Sequence, residues 1–230
     1  MKKTFILCLG ALALVCGCGQ NASKKAAEAE AAAEQARADS IALAQKETKT
    51  QEKLAAMPAE PVFDIITSLG TIKVRLYADT PKHRENFAKL AFSGFYDGLQ
   101  FHRIIPNFMI QGGDPLTKNS ENEAKFGTGG PGYNIEAEIL PNHSHKKGAL
   151  AAARQSDLVN PLKESSGSQF YIVQSEAGCA HLDGEYSIFG ETIDGFKVID
   201  DIAAVSTNAK GLPVNPVMII AVKYDEELNQ

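Results

Sequence analysis

The sequence predicts a mainly β fold, a barrel or sandwich capped by two α-helices. Three features indicate it: apolar residues fall into many short runs bounded by glycines or polar turns, only two segments after residue 60 have helical spacing, and no internal repeat is visible. A chain of 230 residues holds one core with appendages, since a core occupies roughly 100 to 200 residues. We therefore expect one globular domain.

The first residues are typical of a secretory leader. Two lysines precede the apolar run 5–15, which is shorter than the roughly 20 residues that a membrane-spanning helix needs. The residues that follow, Val15 to Cys18, resemble the bacterial lipobox, in which a small residue precedes a cysteine that is diacylated and becomes the mature N-terminus. Cys18 fits this place better than Cys16, because Val15 is a poor residue to stand before the cleavage site.

A lipoprotein signal peptide over residues 1–17 and lipidation of Cys18 are therefore expected. Two or three acyl chains anchor a protein firmly, because each buried methylene contributes about 0.8 kcal/mol. This interpretation places the protein in a bacterial cell envelope, lipid-anchored to a membrane, with its domain in the periplasm. The alternative is an ordinary cleaved signal peptide with incidental cysteines.

The next segment has a different composition. Residues 24–57 are rich in Ala, Glu, Lys and Gln and contain no aromatic residue, glycine or proline, so strong helix formers dominate. Larger apolar residues such as Ile41, Leu43 and Leu54 are too few for a heptad seam. We expect residues 18–60 to be the lipidated N-terminus followed by a solvated helical or partly disordered stalk, and residues 61–230 to be the globular domain.

The globular part begins with a hairpin and contains two helices. The runs 62–67 and 71–76, separated by a turn at Ser68-Leu69-Gly70, are typical of paired strands. Thr80 followed by Pro81 predicts an N-cap with proline in the first helical position. The apolar faces of the two helices are formed by Phe87, Leu90 and Ala91 in the first, and by Phe196, Ile199, Ile202 and Ala203 in the second, which spans 196–205.

Further short apolar runs predict strands at 148–153, 170–173, 187–189 and 217–224.

The most informative segment, from Phe101 to Asp114, reads FHRIIPNFMIQGGD. It resembles the central signature of the cyclophilins almost position for position. The resemblance continues at 148–153, 166–172 and 182–190, in family order, and covers roughly residues 62–224. It implies a closed eight-stranded antiparallel barrel capped by two helices, and a peptidyl-prolyl cis-trans isomerase that needs no cofactor and no metal.

The chemistry implied by the resemblance is rotation about the X-Pro peptide bond. Amide resonance opposes this rotation with a barrier of about 18 to 20 kcal/mol. As the bond twists, the proline nitrogen regains a lone pair, so a donor aimed at it stabilises the twisted state. Arg103 is the candidate donor, and Gln111 would position both Arg103 and the substrate. The family motif makes Arg103, Phe108 and Gln111 the catalytic set.

The resemblance also implies a substrate-binding set: Phe108 and Met109 with Tyr171 and Leu182 around the pyrrolidine ring, backbone groups near Arg154 along an extended substrate chain, and His102, Ala153, Gln169, His181 and Tyr186.

This chain departs from the family pattern at three places. His181 stands where many eukaryotic members have tryptophan, and Tyr186 stands where a histidine often follows. The segment 155–165 is longer than the corresponding loop of compact members.

Other motifs favour structural interpretations. The glycine-rich segment 127–132 lacks the Gly-Lys-Ser/Thr end of a phosphate loop and is expected to be a turn. His143 and His145 lack further metal ligands at a known spacing. Cys179 has no evident base beside it and is expected to be a packed thiol. A formal net charge of -5 disfavours nucleic acid as a partner.

The leading hypothesis is therefore an isomerase that accelerates X-Pro rotation in proteins folding outside the cytoplasm. It would bind proline-containing polypeptides, contact a membrane through its N-terminal lipid and be monomeric. The alternative is a binding or chaperone module for proline-containing segments, in which turnover is incidental. A third possibility is a structural envelope lipoprotein that uses the stalk for assembly.

Overall fold

The computed structural model describes residues 18–229, and the leader predicted over residues 1–17 lies outside them. The chain divides into two compact units, Met1–Thr48 and Lys49–Gln230. Helix α1 spans Cys18–Ala56. All side chains from residue 30 to residue 49 are exposed. The segment is thus helical, as one alternative of the sequence analysis predicted, whereas its role as a stalk stays a prediction.

The second unit begins with the last turns of α1, which contact its core. Leu54 and Met57 pack against the core residues. The ammonium nitrogen of Lys53 lies 5.2 Å from the centroid of the Phe92 ring, a cation–π contact.

The second unit is mainly β, with nine of its strands in one antiparallel sheet and two in a small separate ladder. The strands are β1 (Val62–Thr67), β2 (Gly70–Leu76), β3 (Leu99–Gln100), β4 (Arg103–Ile105), β5 (Met109–Gly112), β6 (Asn134–Ile135), β7 (Ala149–Ala152), β8 (Ser165–Ser166), β9 (Phe170–Val173), β10 (Ile188–Asp194) and β11 (Met218–Tyr224). The order in the large sheet is β3-β11-β1-β2-β10-β7-β9-β5-β4, and β6 pairs with β8. The hairpin predicted at the start of the domain is confirmed as β1 and β2.

The large sheet is curled, because its two ends are consecutive in the chain. β3 and β4 lie at opposite ends of the strand order, yet only Phe101 and His102 separate them. The amide of Phe101 donates to the carbonyl of Val217 on one side, and the amide of His102 donates to the carbonyl of Gln111 on the other. The mainly β fold is therefore confirmed as a curled sheet of nine strands whose two ends are joined through Phe101 and His102, whereas closure as an eight-stranded barrel stays a prediction.

The two predicted helices of the domain are α2 (Pro81–Phe92) and α3 (Phe196–Ala203). Their predicted apolar faces are buried in both cases, except that Phe196 at the start of α3 is 38% exposed.

The N-terminus of α2 differs from the prediction. Thr80 makes no side-chain capping hydrogen bond. Instead the carboxylate of Glu138 accepts hydrogen bonds from the amides of Lys82 and His83, at 3.0 and 2.9 Å. A carboxylate satisfies two free amides at once and interacts favourably with the helix dipole, so a residue 56 positions from Lys82 takes the capping role.

The sheet presents two faces through its register. Ile104, Ile110, Ile172 and Leu150 lie opposite one another across β4, β5, β9 and β7, and all four are fully buried in the core. Side chains alternate between the faces of a strand. The neighbouring row, formed by Arg103, Gln111, Tyr171 and Ala151, therefore points to the other face.

We expect a sharp contrast between two glycines of this domain. A Cβ on Gly113, where φ is +88°, would lie 2.2 Å from the carbonyl oxygen of Ser168. Gly98 has a similar φ of +76° but open space around it. Gly113→Ala should lower the free energy of unfolding by about 3 kcal/mol, against about 1 kcal/mol for Gly98→Ala, which carries only backbone strain. Urea unfolding measures the free energy of unfolding of both variants. Equal losses would contradict the close approach of Gly113 to Ser168.

Candidate active site

Arg103 and Gln111 are direct cross-strand partners on β4 and β5. Nη1 of Arg103 lies 3.3 Å from the amide oxygen of Gln111 and 3.7 Å from the sulfur of Met109. The guanidinium carbon lies 5.9 Å from the centroid of the Phe108 ring. Within residues 18–229, Arg103 makes no ion pair with a carboxylate, and burial lowers the pKa of its guanidinium. Its remaining N–H groups are therefore available as donors.

A chain of amides holds Gln111 in place. Its Nε2 donates to Oε1 of Gln169 at 3.1 Å, and Nε2 of Gln169 donates to the carbonyls of Gly127 and Gly129 at 3.0 and 2.8 Å. The fully buried carboxylate of Asp114 accepts from the amides of both glycines, at 2.5 and 3.2 Å. The glycine-rich segment is thus a turn that fixes the orientation of Gln111, with Gln169 between them.

Beside Arg103 lies a cavity of about 180 Å³. Nine of the twelve residues predicted for the site line it: Arg103, Phe108, Met109, Gln111, Ala153, Arg154, Tyr171, Leu182 and Tyr186. Apolar and aromatic side chains form much of the wall, with a cation at one edge. A pyrrolidine ring with the adjoining backbone fits this shape and polarity.

Phe108 and Met109 both line the cavity although they are consecutive. Phe108 belongs to the turn before β5, where its amide donates to Ile105, and Asn107 has a left-handed φ of 60°. Met109 is the first residue of β5 and is buried. A turn at this point lets two adjacent side chains contact one space, which two residues within a strand could not do.

The side chain of Arg154 braces the cavity wall. Its Nε donates to the carbonyl of Glu185 at 2.9 Å, Nη2 lies 3.2 Å from the Glu185 carboxylate, and Nη1 pairs with Asp157. The guanidinium carbon lies 4.6 Å from the centroid of the Tyr186 ring. These contacts leave the Arg154 side chain only 6% exposed and hold its guanidinium against the Tyr186 ring.

The other three predicted residues lie around this cavity. Gln169 lines a neighbouring cavity of about 400 Å³, which also contacts Gln111, Ala153 and Arg154. His102 is buried, burial lowers its pKa, and it lines a further cavity together with Arg103 and Gln111. His181 is exposed, and its ring stacks on Phe108 with centroids 6.1 Å apart.

A second hydrogen-bonded chain, which sequence reasoning missed, lies behind the cavity. His145 is buried, and Asp183 Oδ1 accepts from both its backbone amide and its ring Nδ1, at 2.8 and 2.6 Å. The other ring nitrogen, Nε2, lies 2.9 Å from the hydroxyl of Tyr171. A carboxylate facing Nδ1 fixes the proton there, so Nε2 accepts from the tyrosine hydroxyl. Asp183, in the family-like run at 182–190, was the available signal.

The pKa values agree with this assignment. Burial lowers the pKa of His145, opposed by its hydrogen bond to Asp183. Burial acts to raise the pKa of Asp183, but the hydrogen bonds from His145 outweigh it and the pKa is lowered. The chain therefore consists of a carboxylate, a neutral imidazole and a phenol.

His143 has separate partners. Its Nε2 lies 2.8 Å from Asp79, and its ring stacks on Tyr77 with centroids 4.1 Å apart. Among the described residues, no group of three or more His, Cys, Asp or Glu side chains could hold a metal ion. Cys179 is a free buried thiol, and burial raises its pKa.

A curled β sheet that places an arginine, with no carboxylate partner among residues 18–229, beside a cavity lined by aromatic and apolar residues is the arrangement expected of a prolyl-peptide isomerase. Residues 62–224 match the family model described as cyclophilin type peptidyl-prolyl cis-trans isomerase/CLD. The chain belongs to this family and is a peptidyl-prolyl cis-trans isomerase of the cyclophilin type.

The chain is similar to fungal and mammalian proteins over nearly their whole length. Peptidyl-prolyl cis-trans isomerase-like 1 of Aspergillus fumigatus is 39% identical over 172 residues, which cover 74% of this chain and 98% of that protein. The human protein of the same name is 36% identical, covering 73% of this chain and 96% of its own length. Peptidyl-prolyl cis-trans isomerase ppi1 of Schizosaccharomyces pombe is 35% identical, with 68% and 94% covered.

Solved structures share the fold. A Cryptosporidium parvum cyclophilin type peptidyl-prolyl cis-trans isomerase superimposes with a TM-score of 0.64 at 31% identity, covering 73% of this chain and 98% of that one. The same protein in the presence of the dipeptide Ala-Pro gives a TM-score of 0.63 at 32% identity, covering 72% and 99%.

The predicted location of the protein in the envelope of a bacterial cell, with its domain in the periplasm, is wrong. The relatives described above are fungal and mammalian proteins, not bacterial envelope lipoproteins. That prediction depended on a few residues at the N-terminus, outside the part of the chain that the family matches. Within residues 18–229, no helix is both long and apolar enough to cross a membrane.

The chain from Asp183 to Tyr171 generates a pH-dependent prediction. Because the folded pKa of His145 is below its ordinary value of 6.5, the unfolded state binds more protons, and the free energy of unfolding should fall as the pH drops below 6.5. Tyr171→Phe removes the donor to Nε2, which should cost about 1 to 2 kcal/mol at pH 7.5. It should also raise the folded pKa of His145 and so weaken the loss of stability in acid.

Urea unfolding at pH 7.5 and pH 5.5 measures both effects, and [¹⁵N]imidazole NMR reads the tautomer. Tyr186→Phe is the matched control, since Tyr186 lines the same cavity but is only in edge contact with His145. An unchanged pH dependence in Tyr171→Phe would contradict the assigned chain.

Proposed function

We propose that Arg103 is the catalytic donor, which hydrogen-bonds the proline nitrogen of a substrate whose X-Pro bond is twisted. The observation that carries this proposal is the position of Arg103, which lines the cavity together with aromatic and apolar residues and has no carboxylate partner among the described residues. Gln111 accepts from one of its N–H groups and holds its direction. A cation that is oriented in advance costs no reorganisation when the substrate twists.

The physical effect depends on the difference between two states. In the planar peptide, the proline nitrogen lone pair is delocalised and is a poor acceptor, whereas in the twisted state it is localised. A donor at this place therefore binds the twisted state more strongly and lowers the barrier. A thousandfold acceleration requires only about 4 kcal/mol, which a charged hydrogen bond and steric orientation supply together.

The cavity wall supplies the orientation. Phe108, Met109, Leu182 and Tyr171 would enclose the pyrrolidine ring, and the carbonyl before proline would remain free to swing. The hydrogen bond from Tyr171 to His145 supports a rigid floor for this pocket. Ala153 and the backbone near Arg154 would accept the extended chain before proline, and His102, Gln169, His181 and Tyr186 would complete the surroundings.

The partners we propose are proline-containing polypeptides. A solved cyclophilin of this fold was determined in the presence of Ala-Pro, which supports the choice of ligand. X-Pro isomerisation takes tens to hundreds of seconds uncatalysed and limits the folding of many chains, so assistance to folding is the proposed role. We propose that the protein acts as a monomer and requires no cofactor.

Arg103→Ala should reduce kcat/KM for an X-Pro peptide about a hundredfold, mainly through kcat, because it removes a donor that acts in the twisted state. Arg103→Lys retains the charge but not the fork geometry, and should recover only part of the rate. The measurement is the isomerisation rate by protease-coupled or NMR exchange assay, with peptide affinity measured separately. If Arg103→Ala retained the full rate, the arginine would not be the donor, and a binding module with incidental turnover would be favoured.

For the N-terminus we propose the division into a leader at residues 1–17, a lipidated N-terminal segment at 18–60 and an isomerase domain at 61–230, with Cys18 as the acylated residue. The residue pattern of the N-terminal segment supports this proposal, which concerns the covalent state of the chain and not its cellular compartment. Metabolic labelling with a radioactive fatty acid should modify the full chain but not Cys18→Ala, whereas Cys179→Ala should remain labelled. Equal labelling of the wild type and Cys18→Ala would contradict the assignment.

A further inference from the structure

The loop at residues 155–165, called here the apolar loop, exposes three large apolar side chains. Leu158 is 92% exposed, Val159 66% and Leu162 76%. Single exposed apolar residues are common on protein surfaces, but three within five residues of one loop form a concentrated apolar surface.

The apolar loop is nevertheless held in a defined conformation. The carbonyl of Ser156 accepts from the amides of Val159 and Asn160, at 3.1 and 3.0 Å. The Asn160 side chain, which is buried, donates to the carbonyl of Glu164 at 2.8 Å and accepts from its amide at 3.1 Å. Backbone groups of the loop and the Asn160 side chain thus bond within the loop, while its three large apolar side chains face solvent. A surface that is oriented in advance loses little entropy when it binds a partner.

The apolar loop is continuous with the isomerase site. Asp157 pairs with Arg154, and Lys163 Nζ lies 2.6 Å from the carboxylate of Glu185, which Arg154 also contacts. Arg154 lines the cavity of about 180 Å³ beside Arg103, called here the proline cavity. Loop residues Gln155, Asn160 and Glu164 line the neighbouring cavity of about 400 Å³, which shares Gln111, Ala153 and Arg154 with the proline cavity.

We propose that the apolar loop binds apolar side chains of the same polypeptide whose proline occupies the active site. The occupant is an extended segment with aliphatic or aromatic residues a few positions from the proline, the chemistry of an incompletely folded chain. The proposal rests on the proposed function of the adjoining cavity. The ion pairs of Asp157 and Lys163 neutralise charges beside the exposed side chains, so the surface suits uncharged segments.

The test compares short and long substrates with the full-length protein. A blocked tetrapeptide with a central X-Pro bond has no residue three to five positions from the proline. Peptides of roughly a dozen residues, extended at about 3.3 Å per residue, carry either leucine and valine or serine at the positions three to five residues from proline. Rates and affinities are measured for all three, the latter by fluorescence anisotropy.

The loop variant is Leu158→Ser, Val159→Ser and Leu162→Ser together. A matched control is Leu69→Ser, Ile220→Ser and Leu228→Ser, which removes three other exposed apolar side chains, 44, 55 and 56% exposed, that line neither cavity. The wild type and the control should favour the apolar long peptide over the serine peptide about tenfold in kcat/KM. The loop variant should lose this preference and keep the wild-type rate on the tetrapeptide.

Three outcomes would overturn the proposal. The wild type would show no preference for the apolar long peptide, or the loop variant would retain that preference. In the third outcome, the wild type would self-associate in sedimentation while the loop variant did not, which would make a second copy of the protein the occupant. The proposed function fails separately, if the wild type does not isomerise the tetrapeptide. Even then, equal affinity of the wild type and the loop variant for the apolar long peptide would contradict the docking surface, and a loss confined to the loop variant would support it.

Discussion

The site depends on the pairing register of β4, β5 and β9. Arg103, Gln111 and Tyr171 lie opposite one another in one row, and the adjacent row of Ile104, Ile110 and Ile172 is buried in the core. A slip of one residue in β4 would put a guanidinium among aliphatic side chains and an isoleucine at the cavity. Burying an unpaired charge costs a large amount of free energy, so this slip is disfavoured. The same hydrophobic pattern that stabilises the sheet therefore also orients the arginine.

Around this row, hydrogen bonds hold Gln111 and Tyr171 from behind. Within the described residues, Arg103 bonds only to Gln111 and to the sulfur of Met109. Gln111 is held through Gln169 by the carbonyls of two glycines, and Tyr171 is held through His145 by Asp183. Arg103 is instead half-buried beside neutral groups, and its lowered pKa reflects that burial. Holding a charged group half-buried without a carboxylate partner costs free energy. The packing of the surrounding sheet offsets this cost, as in other preorganised sites.

Local pattern sufficed for much of the fold. The first hairpin and both helices of the domain lie where short-range periodicity predicted them, and most residues of the family-like motif meet at one cavity. The features that escaped prediction join distant parts of the chain. Glu138 caps a helix 56 residues away from it, and His145 meets an acid 38 residues further on. Propensity and spacing contain no information about such contacts, because only the tertiary fold brings these residues together.

Two expectations depended on resemblance rather than on local pattern. The resemblance implied a closed eight-stranded barrel, and the structure shows a curled sheet of nine strands with Phe101 and His102 between its two end strands. The predicted envelope location is wrong. It rested on the two N-terminal lysines, the apolar run 5–15 and the segment Val15 to Cys18, and the similarity of the rest of the chain to fungal and mammalian proteins outweighs this pattern.

The pairing of β1 with β11 has a consequence for biosynthesis. β1 begins at Val62, and its antiparallel neighbour ends at Tyr224, so the two are separated by almost the entire domain. During translation, the hairpin of β4 and β5, which contains Arg103, leaves the ribosome long before β11, the strand that pairs with β1. Until β11 is synthesised, β1 therefore lacks its strand partner on that side. The enzyme reaches its native state only after synthesis of the domain has finished.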